Sequence, residues 1–586
     1  MDNRQIAQIL FETADLLEVS AADSFRIRSY RRAAEAVEAS TTAVAAMAAE
    51  PRRLMELPGI GKGMAANIAE ITTTGKLELR EELLGRYKPG MLELLRLPGI
   101  GPKTVALFWD ALQISTVDEL EAAAREGRLN GLPRCGPKQS AKILQGIADF
   151  RQHSSRFLLD ETEAASRKLI EYLERYDGVE RAVAAGSLRR GRETAGDLDI
   201  LVTGAACEGE ALPAVVDYCA AYPAAVDLIA KGQNKVSFHL RSGMQVDVRL
   251  LQRASYGAAL QYFTGSQSHN VTLRQRALRM GYTLNEYALA RLDDGSVVAA
   301  ATEEEVYAAM GLDWIPPELR ENRGEIEAAE AHRLPALIEA ADIRGDLHVH
   351  TSETDGRNTI REMAEAALAR GYEYLAITDH SKNLAMVRGL DETRALEHIR
   401  RIREVEREMQ GRIRIFAGIE ADILSDGAVD LDDEVLAQME IVIASVHSHF
   451  SQPMEQMTER VLRAIENPYV RILGHPTGRL LLKREPYALD LEQVLARCAS
   501  LGVAVEHNAH PDRLDLSDRH LARARELGCS LVVNTDAHHT SHFEKIRFGV
   551  LQLRRAWLGR NDVLNTMSAD ILLKNLRPRP GKGAEI

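Results

Sequence analysis

The feature that most constrains this chain lies in its last 246 residues, where short apolar runs end in His, Asp or Glu and helical patterns follow. DLHVHT ends one run with His348 and His350, and AITDH ends another with Asp379 and His380. FAGIEADIL holds Glu420, ASVHSHF holds His447, ILGHP holds His475, and VVNTDAH holds Asp536 and His538. Between them lie segments such as IREMAEAALARG and LEQVLARCASLG, with apolar residues at helical spacing. Strands alternating with helices predict a parallel sheet, and polar residues at successive strand ends predict a βα barrel whose ligands meet at one mouth. One such histidine reads as a satisfied core or loop residue; a succession of them does not. His348 and His350, two apart in a strand, share a face.

The 586 residues are too many for one core and imply about three to five packed units. Lys plus Arg is 73 against 86 Asp plus Glu, a net charge of −13, so overall charge gives no warrant for a nucleic-acid partner. The balance is uneven, with 20 basic and 20 acidic residues in 1–155, 20 and 28 in 156–340, and 33 and 38 in 341–586. Thirteen of 17 histidines fall in the last stretch, which favours a metal or acid/base site there. The five cysteines form no CxxC pair, which points to a reducing compartment and excludes a thiolate metal site. No run of 18 apolar residues and no leader-like N-terminus are present, so the expectation is a soluble, cytoplasmic protein without a membrane partner.

The first 150 residues read as all helix, punctuated by LPGIG at 57–61 and 97–101 and a weaker LPRCG at 132–136. Each precedes a nearby lysine (Lys62, Lys103, Lys138) and a new helical pattern. Gly59, Gly61, Gly99 and Gly101 permit positive φ and close backbone approach, and the helix N-terminus that follows offers N–H groups to an anion such as a phosphate. An α-solenoid with glycine turns also fits spacings of about 40 and 35 residues; two near-identical copies and a third weaker one count against it.

In RAVAAGSLRRGRETAGDLDILV, Asp197 and Asp199 are separated by one residue in a strand pattern, so both carboxylates share a face. Asp247 lies in a second alternating run, MQVDVRLL, that can pair beside the first. Three carboxylates around two Mg²⁺ ions suit in-line phosphoryl transfer. Upstream, Gly186 and Ser187 can offer backbone and hydroxyl donors to a triphosphate, and Arg190 charge-assisted bonds. Taken alone, YFTGS (262–266) reads as a strand and turn with core aromatics.

These motifs, GSLRRG at 186–191, GDLD at 196–199, Asp247 and YFTGS, resemble the palm and thumb of family X DNA polymerases, the DNA polymerase beta family. The repeated hairpins resemble helix-hairpin-helix motifs of DNA-binding proteins and that family's lyase-like and fingers regions. The resemblance spans residues 3–320 and implies roles. Asp197 and Asp199 would hold two cations, Mg²⁺ or Mn²⁺, and Asp247 the catalytic one, next to the primer 3′-hydroxyl. Ser187, Arg190 and Gly196, with Gly186, would meet the triphosphate. Tyr262 and Phe263 would pack on the incoming sugar beside Gly265, and Asn270 and Arg274 would reach the nascent pair and template. A monovalent cation at the hairpins is also implied. Where lyase-active relatives carry a Schiff-base lysine, this chain has Asn67, whose amide cannot form an imine; Lys62 stands nearby.

The histidine-rich half resembles the PHP (polymerase and histidinol phosphatase) domain, a distorted βα barrel with up to three divalent metals. The resemblance implies one metal on His348, His350, Glu420 and Asp536, a second bridged by Glu420 and held by His447 and His475, and a third on Asp355, His380 and His538. All nine positions carry a competent ligand. Imidazole and carboxylate without thiolate fit Mn²⁺, Zn²⁺ or Fe²⁺ alike. His449, His507, His510, His539 and His542 read as loop residues, candidates for contact with a substrate phosphate.

The expected architecture is multidomain: an all-α helix-hairpin-helix N-terminal region, an α+β nucleotidyltransferase palm and thumb, and a C-terminal α/β distorted (βα)7 PHP barrel. The boundaries read as a lyase-like domain at 1–85, fingers at 86–150, palm at 151–255, thumb at 256–315, linker at 316–340 and PHP domain at 341–577. The combination resembles the bacterial and archaeal family X DNA polymerases. It implies gap-filling, template-directed synthesis on gapped or primer-template DNA from dNTPs. It also implies a 3′→5′ exonuclease in the PHP half, extending to abasic sites or 3′-phosphates, in DNA repair. Rival readings make the PHP half a structural or DNA-gripping module, make the N-terminal half a DNA-end-binding scaffold, or give the PHP half a small phosphate ester.

Overall fold

The computed structural model describes residues 3–576 except 21, 40–43, 48–50, 56, 58, 89, 96, 98, 134, 155 and 385–386. The expected barrel-region end at residue 577 and Arg134 of the third hairpin lie outside the described residues. The chain divides into two compact units, Met1–Ser155 and Arg156–Ile586.

Among its described residues the first unit is helical, with no strand. Ile6, Leu10, Ala14 and Leu17 of helix Asn3–Val19 enter one core with Tyr30, Val37, Ile60, Ile68 and Ile71. Leu16 and Val19 enter a second core with Met91, Ile100, Phe108, Leu120 and Ile147. The two LPGIG hairpins fold alike. Gly59 and Gly99 have φ of +80° and +77°, a left-handed conformation that other residues adopt only with strain. Ile60 and Ile100 are buried, and Gly61 and Gly101 cap helices Lys62–Thr74 and Pro102–Leu112 without a capping side chain. In LPRCG, Cys135 is likewise buried and its N–H donates to Leu132 O at 3.1 Å.

The second unit opens with β1 (Phe157–Leu158), β2 (Arg181–Ala184), β3 (Thr194–Ala195), β4 (Asp197–Thr203), β5 (Ala225–Lys231), β6 (Lys235–Leu240) and β7 (Gln245–Leu251). β1 pairs with β3, and the others form one sheet in the order β2-β4-β7-β6-β5. Only β4 and β7 are parallel within it. Leu198, Ile200 and Val202 enter its core, which leaves Asp197 and Asp199 on the opposite face. Helices Tyr256–Thr264 and Gln267–Arg279, a small sheet of β8 (Tyr282–Leu284), β9 (Leu289–Arg291) and β10 (Val297–Ala299), and helix Glu303–Ala309 follow. YFTGS therefore runs from the end of a helix into a turn and is not a strand. Residues 316–340 do not make a free linker helix: Leu319, Ile326 and Ala329 enter the same apolar core as Leu273, Val306 and Tyr307.

Seven parallel strands complete the unit, in sequential order: β11 (Gly345–Asp346), β12 (Tyr374–Ile377), β13 (Arg414–Asp422), β14 (Ile441–Ser445), β15 (Ile472–Leu473), β16 (Ala504–Asn508) and β17 (Leu531–Asn534). A parallel bridge between Val349 and Ala537 joins the first to the last. Alternate residues point inward and outward. Tyr374, Phe416, Ile441, Ile443, Ala504 and Val532 form an inner core closed by Leu564, Leu572 and Leu576, while Leu375, Ala417, Val442, Val505 and Val533 pack outward. β16, AVEHN, was not among the six polar-ended runs of the sequence, although its apolar stretch also ends in Glu506 and His507. His507 is consequently a fully buried strand residue and not a loop residue.

Candidate functional site

On the five-stranded sheet, β4 and β7 lie in parallel register with Asp199 opposite Asp247 and Asp197 opposite Gln245. The carboxylates share a face but do not contract into a tight cluster; the groups of ligand atoms within 4.8 Å found among the described residues all lie in the barrel. Asp197 is exposed, and Asp247 is buried with Lys235 Nζ at 2.8 Å. Burial, then the charges of Asp197 and Asp247, push the Asp199 carboxyl up to about 6. Burial opposes ionisation of Asp247 too, but hydrogen bonds from Lys235 and Ser237 hold its carboxyl below the ordinary value. A row of hard oxygens with crowded charge suits a divalent cation.

β2 leads into the short helix Gly186–Arg189, whose Ser187 Oγ is buried and without a hydrogen-bond partner. A Cβ on Gly186 would meet Asp199 Oδ2 at 2.5 Å, so only glycine lets this turn lie against the carboxylate. Gly196 immediately precedes β4.

Several residues expected to face substrate are held by the protein. Arg190 Nη1 donates to Thr264 O at 2.6 Å, and its Nε donates to Glu321 Oε1 at 3.1 Å. The Asn270 amide donates to Tyr262 O at 2.6 Å and accepts from Gln261 Nε2 at 2.9 Å, so it braces the helix end and does not reach outward. A Cβ on Gly265 would meet Asn270 Oδ1 at 2.6 Å. Arg274 Nε contacts Asn270 O at 3.4 Å. Tyr262 and Phe263 pack edge to face at 5.1 Å, and the Arg249 guanidinium lies 4.1 Å from the Phe263 ring centre.

In the first unit the hairpin glycines lie as described, and Asn67 Nδ2 donates to Tyr30 Oη at 2.7 Å. The amide that stands where lyase-active relatives have lysine thus has a structural partner.

In the barrel, all nine candidate ligands converge around Glu420. Its carboxylate lies within 3.6 Å of His348, His350, His380, His447 and His475. Asp536 Oδ1 is 3.2 Å from His350 Nε2, and Asp355 Oδ2 is 3.4 Å from His380 Nε2 and 3.3 Å from His538 Nε2. Three groups bring their donor atoms within 4.8 Å: His350, Asp355, His380 and His538; His348, His350 and Asp536; and His380, Glu420 and His447. His350 and His380 thus each serve two groups, a sharing absent from the expected assignment. His348 and His350 sit just past β11 and not within it.

The buried ring nitrogens of His348, His350 and His380 that face the cluster's carboxylates, and Glu420 Oε2, lack hydrogen-bond partners. Buried polar atoms are normally paired, and convergent lone pairs of this kind fit divalent cations. Burial works against ionisation of Glu420 and Asp536, yet neighbouring imidazoles hold both well below the ordinary carboxylate range. Burial likewise opposes the His380 charge, but Glu420 and Asp355 raise it to about 10.

A surrounding shell orients these groups. Glu506 accepts from His348 Nδ1 at 2.8 Å, His475 N at 2.7 Å and Asn534 Nδ2 at 2.8 Å. Asp422 lies 3.4 Å from His447 Nδ1, and Asn508 donates to Asp536 at 3.0 Å. Asp379 is no member of the cluster; it accepts from Thr351 and Thr354 and pairs with buried His398 at 3.0 Å. Sequence reasoning missed Glu506 and Asp422, though each follows the inward parity of its strand.

Palm sheet, adjoining helical subdomain and His-rich barrel together define a nucleotidyltransferase core joined to a metal-binding phosphoesterase barrel. Residues 1–77 match the family described as helix-hairpin-helix domain and 91–149 the SAM-like helix-hairpin-helix tandem. Residues 259–321 match the DNA polymerase beta thumb, and 346–510 the PHP domain. The chain is 37% identical over 571 residues to the DNA polymerase/3′-5′ exonuclease PolX of Bacillus subtilis (strain 168), across 97% of this chain and 98% of that one. It belongs to the PolX family, family X DNA polymerases with a C-terminal PHP domain. Over 212 residues it is 31% identical to a probable phosphatase of Acetivibrio thermocellus, across 35% of this chain and 82% of that one. It is 28% identical to a probable phosphatase of Thermoanaerobacter sp. (strain X514), across 38% and 89%. No helix among the described residues is long and apolar enough to cross a membrane.

Proposed function

We propose that this chain is a DNA-repair polymerase that fills gaps in duplex DNA from dNTPs and trims 3′ ends in its barrel. The observation that carries the reading is a likeness to a DNA polymerase/3′-5′ exonuclease along nearly the whole chain. Asp197, Asp199 and Asp247 are assigned to Mg²⁺ or Mn²⁺ and the primer 3′-hydroxyl, and Gly186, Ser187 and Gly196 to the triphosphate. Arg190 joins them by leaving Glu321, and Tyr262 and Phe263 are assigned to the sugar. The nine barrel ligands are assigned to as many as three cations, Mn²⁺ or Zn²⁺. Cations there would neutralise a scissile phosphodiester and lower the pKa of an attacking water. The hairpins at Gly59–Gly61 and Gly99–Gly101 would grip phosphates through backbone N–H groups, which a net negative chain requires.

The test is a labelled primer on gapped duplex, with Mg²⁺ or Mn²⁺, with and without dNTPs. Asp197→Ala with Asp199→Ala is expected to abolish extension and leave degradation; His348→Ala with His350→Ala is expected to do the reverse. Degradation that persists in a contaminant-free histidine variant would sink the nuclease assignment. A second reading, hydrolysis of terminal phosphate esters, is favoured by the likeness of the barrel to probable phosphatases. A primer ending in 3′-phosphate, assayed with the same variants, separates it from nucleotide removal.

A further inference from the structure

The expected triphosphate turn is held from behind by the barrel. Helix Ile546–Arg555, which follows β17, lies against residues 188–191. Leu188, Phe548 and Leu551 share an apolar cluster with Leu159 and Leu514. Gln552 Nε2 donates to Gly191 O at 2.8 Å, and Arg555 Nη1 donates to Arg190 O at 2.7 Å.

Glu321 joins these elements. Its Oε1 lies 3.1 Å from Arg190 Nε and 3.1 Å from Arg555 Nη1, so two guanidiniums share one carboxylate oxygen. Arg192 Nη1 stands at 3.8 Å from Oε2. The Arg555 side chain is 2% exposed and that of Glu321 is 11%. Arg555 also pairs with Asp518 at 2.9 Å, which Arg323 contacts at 3.0 Å.

A carboxylate this buried is costly to leave without a cation. While Arg555 stays on Glu321, Arg190 can swing to another anion and leave the carboxylate paired. Without Arg555, the same departure would strip Glu321 of its last close partner, with only Arg192 in reach. We propose that Arg555 is a positioning residue for DNA synthesis: by retaining Glu321 and the Arg190 carbonyl, it releases the Arg190 guanidinium to the incoming triphosphate. The barrel is then a working part of the nucleotide site. This rests on the reading of Gly186–Arg190 as the triphosphate turn.

The test uses the full chain on single-nucleotide gapped duplex, with KM for dNTP and kcat measured separately. Arg555→Gln is expected to raise KM about tenfold with kcat changed less than about threefold, a loss of nucleotide binding of one decade. The barrel's degradation of an unpaired 3′ end should be unchanged. Adding Glu321→Gln to Arg555→Gln removes the carboxylate that traps Arg190 and should restore KM; a merely structural Arg555 would leave the double variant no better than the single. An unchanged KM in Arg555→Gln, or no rescue, overturns the proposal. Arg190→Ala separates the two layers. If it leaves KM unchanged, the reading of the turn fails and the proposal with it; if it raises KM while Arg555→Gln does nothing, only the proposal fails. Should Arg555→Gln not fold, Glu321→Gln alone reads the same competition: KM should fall, and a rise would overturn it.

Discussion

Gly186 has a φ of +56°, and a Cβ there would stand 2.5 Å from Asp199 Oδ2. Gly186→Ala therefore combines backbone strain of about 1–3 kcal/mol with a push on a carboxylate that must keep its place. Extension by this variant should fall on the order of 100-fold, the scale of an ångström misplacement, while degradation is retained; paired primer assays and a thermal melt check it. The reason for this glycine was legible as a motif but not as a contact, because the turn and Asp199 are brought together only by the pairing of β2 with β4. Arg190 shows the opposite limit. Its sequence neighbourhood suggests a phosphate ligand, yet Thr264 and Glu321, 74 and 131 positions away, hold it here. Asn270 is likewise held, by Gln261 and Tyr262, partners at the end of a helix where the pattern of YFTGS predicted a strand.

Among the elements, helix Glu303–Ala309 carries the ion pairs that tie the palm to the subdomain after it. Glu303 binds Arg189 through both oxygens at 2.8 Å and Arg320 at 2.6 Å. Burial penalises its charge, but Arg320 and Arg189 bring its carboxyl down to about 2 from 4.5. The folded chain thus binds this proton less tightly than the unfolded one. The stabilisation, about 3 kcal/mol, is complete above the unfolded pKa and disappears as pH falls from about 5 towards 2. Glu303→Gln should lose stability at pH 7 and show a flatter acid limb, measured by urea midpoints across that range. β16 offers a second prediction. Glu506→Gln weakens the hold on His348 and should cut degradation by about 10–100-fold and leave extension intact, as parallel assays will read. The hairpins offer a third. Gly99→Ala strains a φ of +77° and should weaken binding to gapped DNA about equally for all sequences, a pattern expected of phosphate contacts; fluorescence anisotropy on two unrelated duplexes checks it. Most elements were readable from periodicity. β16 was not picked out, although its run ends in Glu506 and His507 as AITDH ends in Asp379 and His380; the part Glu506 plays shows only in its hydrogen bonds to His348 and His475.

Across the whole molecule, the cluster around Glu420 draws on every strand of the barrel except β16, which supplies the brace. Cation binding must displace protons from imidazoles such as His380, so affinity should fall as pH drops. Added Mn²⁺ or Zn²⁺ should raise the melting temperature of the wild type, by mass action, and raise that of the paired variant His348→Ala with His350→Ala less, since His380, Glu420 and His447 remain; differential scanning fluorimetry after chelation reads this directly. The seam of the barrel gives such a cation a further consequence. Val349 and Ala537 make the only bridge between its first and last strands among the described residues. Flanking that bridge are His348 and His350 on one side and Asp536 on the other. A metal that grips both sides closes a loop of 188 residues, Asp536 minus His348. Because the metal holds the seam only in the folded chain, the closure stabilises by mass action, rising with the concentration of free cation. The metal would then act as a latch as well as a reagent. A barrel stripped of it would keep the buried bonds from Thr535 to Asp346 and from Leu347 N to Asn534, so the latch adds to a closure the protein already makes.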